Sequence, residues 1–260
     1  MSFIKPSNRS KAIKQADLYR NFTFMFFLLV LLSALLLVNN VFAATTFLSN
    51  YNYGEKVSYK MSQQKADFAQ ARQSYDAQEY IYSARLFSIL AEQGHNKAQY
   101  LLATQYDMGL GVDTDKQAAF LGYQQAAMGG VRIAQHNLAV SYSKGIGTSK
   151  NLAKAVHWWK RAANNGSTDA QFNLGIIYAS GHGNIEQNLE QALKWWKMAA
   201  MSGDAAAQFN IGAMYANGLG VSGHACEATH WWKKSAENGF AQAKMALALL
   251  ETRKALERCQ

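Results

Sequence analysis

Residues 131–166, VRIAQHNLAVSYSKGIGTSKNLAKAVHWWKRAANNG, hold the pattern that decides the fold. Ala134, Leu138, Ser141 and Tyr142 fall at i, i+4, i+7 and i+8, one face of a helix. Gly145-Ile146-Gly147 ends that helix, because glycine takes the left-handed backbone of a helix C-terminus without a Cβ penalty. A second apolar stripe follows, Leu152, Ala155, Trp159, Ala162 and Ala163, and Asn164-Asn165-Gly166 closes it. One unit is thus helix A, a Gly-x-Gly loop, helix B and a glycine stop.

The unit recurs along the chain. Its stop glycines are Gly94, Gly130, Gly166, Gly203 and Gly239, spaced by 36, 36, 37 and 36 residues. An alanine follows each by four positions: Ala98, Ala134, Ala170, Ala207 and Ala243 in turn. A tryptophan pair precedes three of the stops: Trp158-Trp159, Trp195-Trp196 and Trp231-Trp232. Self-similarity at this period predicts an all-α array of helix pairs, each burying its apolar face only by stacking on its neighbours. The chain has one proline, Pro6, as an array of helices requires. Small residues let helices approach closely, and Trp159, Trp196, Trp232, Tyr142, Tyr178 and Tyr215 are the expected core aromatics. Trp158, Trp195 and Trp231 lie about 100° to the side, so they either pack between repeats or keep an exposed edge.

The N-terminus reads as an export address. Phe22 to Val38 is uncharged and apolar, the basic segment 5–20 precedes it, and Val41 and Ala43 suit the −3 and −1 positions of a signal cleavage site. An uncleaved anchor is the competing reading, since 17 apolar residues are at the short end for a membrane span. Either reading exports residues 44–260, to the periplasm, with or without an inner-membrane anchor, or out of the cell. Membrane contact is then expected only through residues 22–38, if these are retained. Residues 44–60 carry no helical period and read as a tether.

Formal charge is +9 over 260 residues, and residues 1–43 hold five Lys/Arg against one acid. The remaining positive charge looks spread along the chain, with no basic stripe, so no nucleic-acid partner is expected. Cys226 and Cys259 are too few for a disulfide framework. They could form one bridge in an oxidising compartment, but Cys259 sits about 12 Å too far along a straight last helix, so a bridge needs a bend after about Leu250. His224, Cys226 and His230 make three candidate zinc ligands without a fourth, a weak signal, and no metal or cofactor is expected. Known catalytic motifs are missing from the sequence, and the Gly-x-Gly loops follow no strand, so the chain does not read as an enzyme.

The pattern A-Q-x-N-L-G-x-x-Y-x-x-G-x-G, then K-A-x-x-W-W-K-x-A-A-x-x-G, resembles the Sel1-like repeat, a variant of the tetratricopeptide class. It is clearest over 131–239 and covers four units over 95–239, although Gly122-Tyr123 replaces Trp-Trp in the first. Residues 61–94 resemble a plainer tetratricopeptide unit, and 240–260 read as a capping helix. The resemblance implies a right-handed αα-superhelix that mediates protein–protein contacts, often in bacterial envelopes, with part of helix A lining its concave face. That places two candidate rows on a surface for a protein or peptide: Gln99, Gln135, Gln171 and Gln208, and beside them Asn137, Asn173 and Asn210. These amides either hydrogen-bond an extended peptide or brace a neighbour's backbone. Specificity for one partner would be written where repeats differ, at Thr104, Val140, Ile176 and Ala213 and at Asp107, Ser143, Ala179 and Ala216. Exposed tryptophans would instead suit a glycan such as peptidoglycan.

Overall fold

In a computed structural model the chain is described over residues 62–252, apart from 64 and 66. The apolar run, the position after Ala43, the 44–60 tether and Cys259 lie outside the described residues. The chain divides into Met1–Lys65 and Ala66–Gln260, and the helical array belongs to the second unit. Among the described residues every regular element is a helix, and no helix is long and apolar enough to cross a membrane.

Helix α1 runs through residues 67–76. Then come α2 (Tyr80–Glu92), α3 (Asn96–Met108), α4 (Lys116–Met128), α5 (Arg132–Lys144) and α6 (Leu152–Asn164). The array continues with α7 (Thr168–Ser180), α8 (Leu189–Met201), α9 (Ala205–Asn217), α10 (Ala225–Glu237) and α11 (Ala241–Thr252). Odd-numbered helices are the A helices and even-numbered ones the B helices. Each of α3 to α10 packs most closely on its partner within one repeat, and each B helix packs in turn on the next A helix. The result is a stack in which contacts pass from neighbour to neighbour, the arrangement of a solenoid.

Local chemistry sets the ends of these helices. Equivalent residues cap three B helices by accepting backbone N–H bonds: Asp115 from Gln117 and Ala118, Asn151 from Lys154, and Asn188 from Gln191. His224 does the same for α10 through Nδ1, taking the Glu227 N–H at 3.3 Å. The five stop glycines have φ between 82° and 89°, and an added Cβ would meet open space or only the tip of Arg132, so they serve backbone conformation. Gly147 is different. Its φ is 67°, and a side chain there would also run into the Lys116 carbonyl at the start of α4, so the A–B loop of one repeat lies directly on the preceding B helix.

The core is continuous across repeats. Leu138, Ala155, Trp159, Ala162, Ala163, Leu174 and Trp195 belong to one buried cluster that spans α3 to α8. A second cluster joins Trp196, Ala199, Ala207 and Ile211, and a third joins Trp232 to Ala243 beneath α11.

Candidate protein-binding surface

The glutamine row is inside the molecule. Gln135, Gln171 and Gln208 are 1 %, 5 % and 4 % exposed, and Gln99 is half-buried. Each Nε2 donates to a carbonyl eight residues back, in the last turn of the preceding B helix: Gln99 to Ala91, Gln135 to Ala127, Gln171 to Ala163 and Gln208 to Ala200, all at 3.1–3.2 Å. Those carbonyls are among the four that a helix end leaves without an internal partner. The expectation that these amides face a peptide is therefore corrected: they brace the neighbour's backbone.

The brace has a second half. Asn165 and Asn238 end α6 and α10, and their Nδ2 atoms donate to Gln135 Oε1 at 3.0 Å and Gln208 Oε1 at 2.9 Å. The equivalent positions after α4 and α8 hold Gly129 and Ser202, which have no amide to offer. Correspondingly, Gln99 Oε1 and Gln171 Oε1 are buried without a partner.

The second tryptophan of each pair is core, with Trp159, Trp196 and Trp232 all buried. Trp196 Nε1 donates to the Phe172 carbonyl at 3.2 Å and Trp232 Nε1 to the Phe209 carbonyl at 3.0 Å. Both rings lie against a glycine. A Cβ on Gly175 would collide with the Trp196 indole, and one on Gly212 would sit 2.5 Å from Trp232 Cδ1 and Nε1. Repeat 131–166 has Ala139 at this place, and there Trp159 Nε1 has no partner. Of the first tryptophans, Trp195 is buried while Trp158 and Trp231 are half-buried, with Arg161 and Lys234 over their rings at 5.2 Å. Tyr142 is buried as expected, but Tyr178 and Tyr215 are only half-buried. They pack against the core from its margin, and Lys160 Nζ lies 5.5 Å from the Tyr178 ring centre.

What remains available along the A helices is the asparagine row together with the positions that vary. Asn137, Asn173, Asn210, Thr104, Val140 and Ala213 are half-exposed, and Ile176 is exposed. Asn137 and Val140, Asn173 and Ile176, and Asn210 and Ala213 are i, i+3 pairs, so one stripe of each A helix carries an amide followed by a side chain that differs between repeats. At the first repeat the stripe becomes a polar cluster centred on Tyr123 of α4. Its hydroxyl donates to Asp107 Oδ2 at 3.3 Å, joining α4 to α3. Lys116 Nζ holds the other Asp107 oxygen at 2.7 Å. Burial pushes the Tyr123 hydroxyl up to about 12, so it stays protonated and acts as a donor. Sequence reading missed Tyr123 as a functional residue. The available signal was a tyrosine standing where three other repeats have tryptophan.

Among the described residues no three His, Cys, Asp or Glu side chains gather as a metal site. Cys226 is disulfide-bonded and His224 Nδ1 is taken by its cap, so neither is free to serve as the ligand considered from sequence.

Comparison with known proteins agrees with this architecture. The Sel1 repeat model matches residues 96–131, 132–167, 168–204 and 205–240. A Sel1 repeat protein from Oxalobacter formigenes is 34 % identical over 70 % of this chain and 74 % of its own, with a TM-score of 0.67. A protective antigen of uropathogenic Escherichia coli strains, which displays an SLR fold, is 30 % identical with a TM-score of 0.66. That match covers 72 % of this chain and 42 % of the antigen, so the chain spans under half of it. No curated protein sequence matches. Four consecutive matches to one repeat model, on a stack whose buried glutamines and tryptophans recur with that same period, place this chain in the Sel1 repeat family.

Proposed function

We propose that the chain is an exported Sel1-repeat scaffold that binds a protein partner along the variable stripe of its A helices, in a bacterial cell envelope. Sel1 repeat proteins generally mediate protein–protein interactions, and their solenoids are typically non-catalytic. The observation that carries the reading is the division of labour on each A helix. Glutamines that recur unchanged are buried in the brace, whereas Thr104, Val140, Ile176 and Ala213 differ and reach solvent. Ile176 and the half-exposed Val140 offer apolar contact area, and the half-exposed Thr104 and Asp107, the latter held by the buried Tyr123, offer polar contacts beside it. Three features support export: the basic segment before Phe22–Val38, the disulfide at Cys226, which persists in oxidising compartments, and the antigen among the similar structures.

The test is affinity capture of envelope proteins on the chain, read by mass spectrometry, beside a Val140→Asp/Ile176→Asp variant. Both positions reach solvent, so the variant should melt as the parent does. One protein captured by the parent and lost with the variant supports the reading. Capture indifferent to these changes, or none, removes the A-helix stripe as a partner surface. A glycan reading has less behind it. Trp195 is buried, and Arg161 and Lys234 already cover a face of Trp158 and Trp231, so the three-ring row it needs does not form.

A further inference from the structure

Positive charge that looks scattered in sequence is gathered by the fold. His157, Lys160 and Arg161 are exposed on α6, and Lys194 and Lys197 occupy the matching places on α8. His230, Lys233 and Lys234 occupy them on α10. The spacing i, i+3, i+4 puts each set on one stripe of its helix, and the three helices hold the same place in successive repeats. Six of these side chains carry fixed positive charge. Among the described residues, none of the six has a carboxylate within ion-pair distance. Three exposed acids share these stripes, Glu190 on α8 and Glu227 and Glu237 on α10, so the six cations outnumber them two to one.

The same stripe carries large apolar side chains in the open. Met201 on α8 is 85 % exposed, and on α4, where the cations give way to neutral residues, Leu121 and Met128 are 48 % and 62 % exposed. A nucleic-acid backbone or a polypeptide made only of acidic residues would match the charge but leave these side chains in water. A bilayer surface accepts both, with cations at the headgroups and apolar side chains at the acyl boundary.

We infer that the B-helix stripe of α4, α6, α8 and α10 is a docking surface for anionic phospholipid headgroups. It is separate from the A-helix stripe, and the two surfaces would let one solenoid hold a protein partner at a membrane. Each lysine or arginine near such a surface strengthens binding about fivefold.

Since the apolar segment 22–38 could attach the full chain to any vesicle, the readout must be local. Methionine oxidation by peroxide, mapped by mass spectrometry, supplies it. Met128 and Met201 lie on the stripe, while Met108 on α3 and Met245 on α11 are comparably exposed away from it. On vesicles with about 30 % phosphatidylglycerol, oxidation of Met201 and Met128 should slow roughly tenfold relative to phosphatidylcholine vesicles, with Met108 and Met245 unchanged. The protection should disappear in about 0.5 M salt and in a Lys194→Gln/Lys197→Gln/Lys233→Gln/Lys234→Gln variant. That variant alters only exposed side chains, and an unchanged melting curve verifies its fold. Equal oxidation on the two vesicle types, or protection that survives the four substitutions, overturns the inference. Protection by polyglutamate or RNA but not by anionic vesicles overturns it in favour of a different class of partner.

Discussion

Ser202→Asn is the sharpest test of the amide brace. Gln171 Oε1 is buried without a partner, whereas Gln135 and Gln208 receive an asparagine Nδ2 from the end of their own repeat's B helix. The backbone at Ser202 has φ −86° and ψ 8°, against −86° and 13° at Asn165 and −82° and 13° at Asn238. An asparagine side chain should therefore reach Gln171 from the same direction and distance. The substitution gives up a 3.4 Å bond from Ser202 Oγ to the Met198 carbonyl at an exposed position, a small loss. The gain is one intramolecular hydrogen bond plus relief of a buried orphan acceptor, about 1–2 kcal/mol. At this chain size that raises the melting temperature by about 2–8 °C. Denaturant titration with tryptophan fluorescence, run beside calorimetry, reads the change. A Gln171→Leu background supplies the control, because the gain from Ser202→Asn must vanish once the acceptor is gone. No stabilisation in the parent, or equal stabilisation in both backgrounds, would refute the brace as the source of the energy. The reciprocal change, Asn165→Ala, orphans Gln135 Oε1 and should cost about 1–3 kcal/mol.

Gly175→Ala should displace the Trp196 indole and break its bond to the Phe172 carbonyl, costing about 1–3 kcal/mol by overpacking, whereas Ala139→Gly at the equivalent place should cost no more than about 1 kcal/mol; paired melting curves decide. Trp196→Ala should cost about 3–5 kcal/mol, as truncation of a large core side chain does, and an unchanged melt would show that the ring is not core. Burial lowers the pKa values of His136 and His95 below the usual histidine value, with Asp169 opposing the shift at His136 and Lys97 adding to it at His95. The folded state then binds fewer protons than the unfolded one, so this contribution to stability is full above about pH 6.5 and declines as pH falls through that value. His136→Phe, which restores the aromatic found at Phe172 and Phe209, should flatten the decline between pH 7.5 and 5 in a melt series, and an unaltered slope would exclude His136 as its source.

The helix–loop–helix unit was legible because its punctuation is steric. The glycines that end each helix occupy backbone conformations that other residues resist, so they stand out in the sequence. The second tryptophans were equally plain, since their neighbours on the helix face are alanines. The glutamines were not. An amide that braces a helix end and one that greets a peptide look alike until the depth of the helix in the stack is known. Nor does anything local separate Trp195 from Trp158 and Trp231, which share its Trp-Trp context and differ in burial. The cationic stripe escaped notice for another reason. Its members are some 36 residues apart, and their alignment exists only once successive repeats are superposed in space.

The third Sel1 repeat, 168–204, carries one residue more than the others. Its extra residue falls between α7 and α8, and both helices keep the same 13-residue length found from α2 to α10. Chain length can thus change at Asn184 and Glu186, both exposed, while the helices around them hold their register. This makes the segment a natural insertion port. A short epitope, a fluorophore-binding tag or a protease site placed there would report on the array from outside, leaving both the braces and the two stripes as they are.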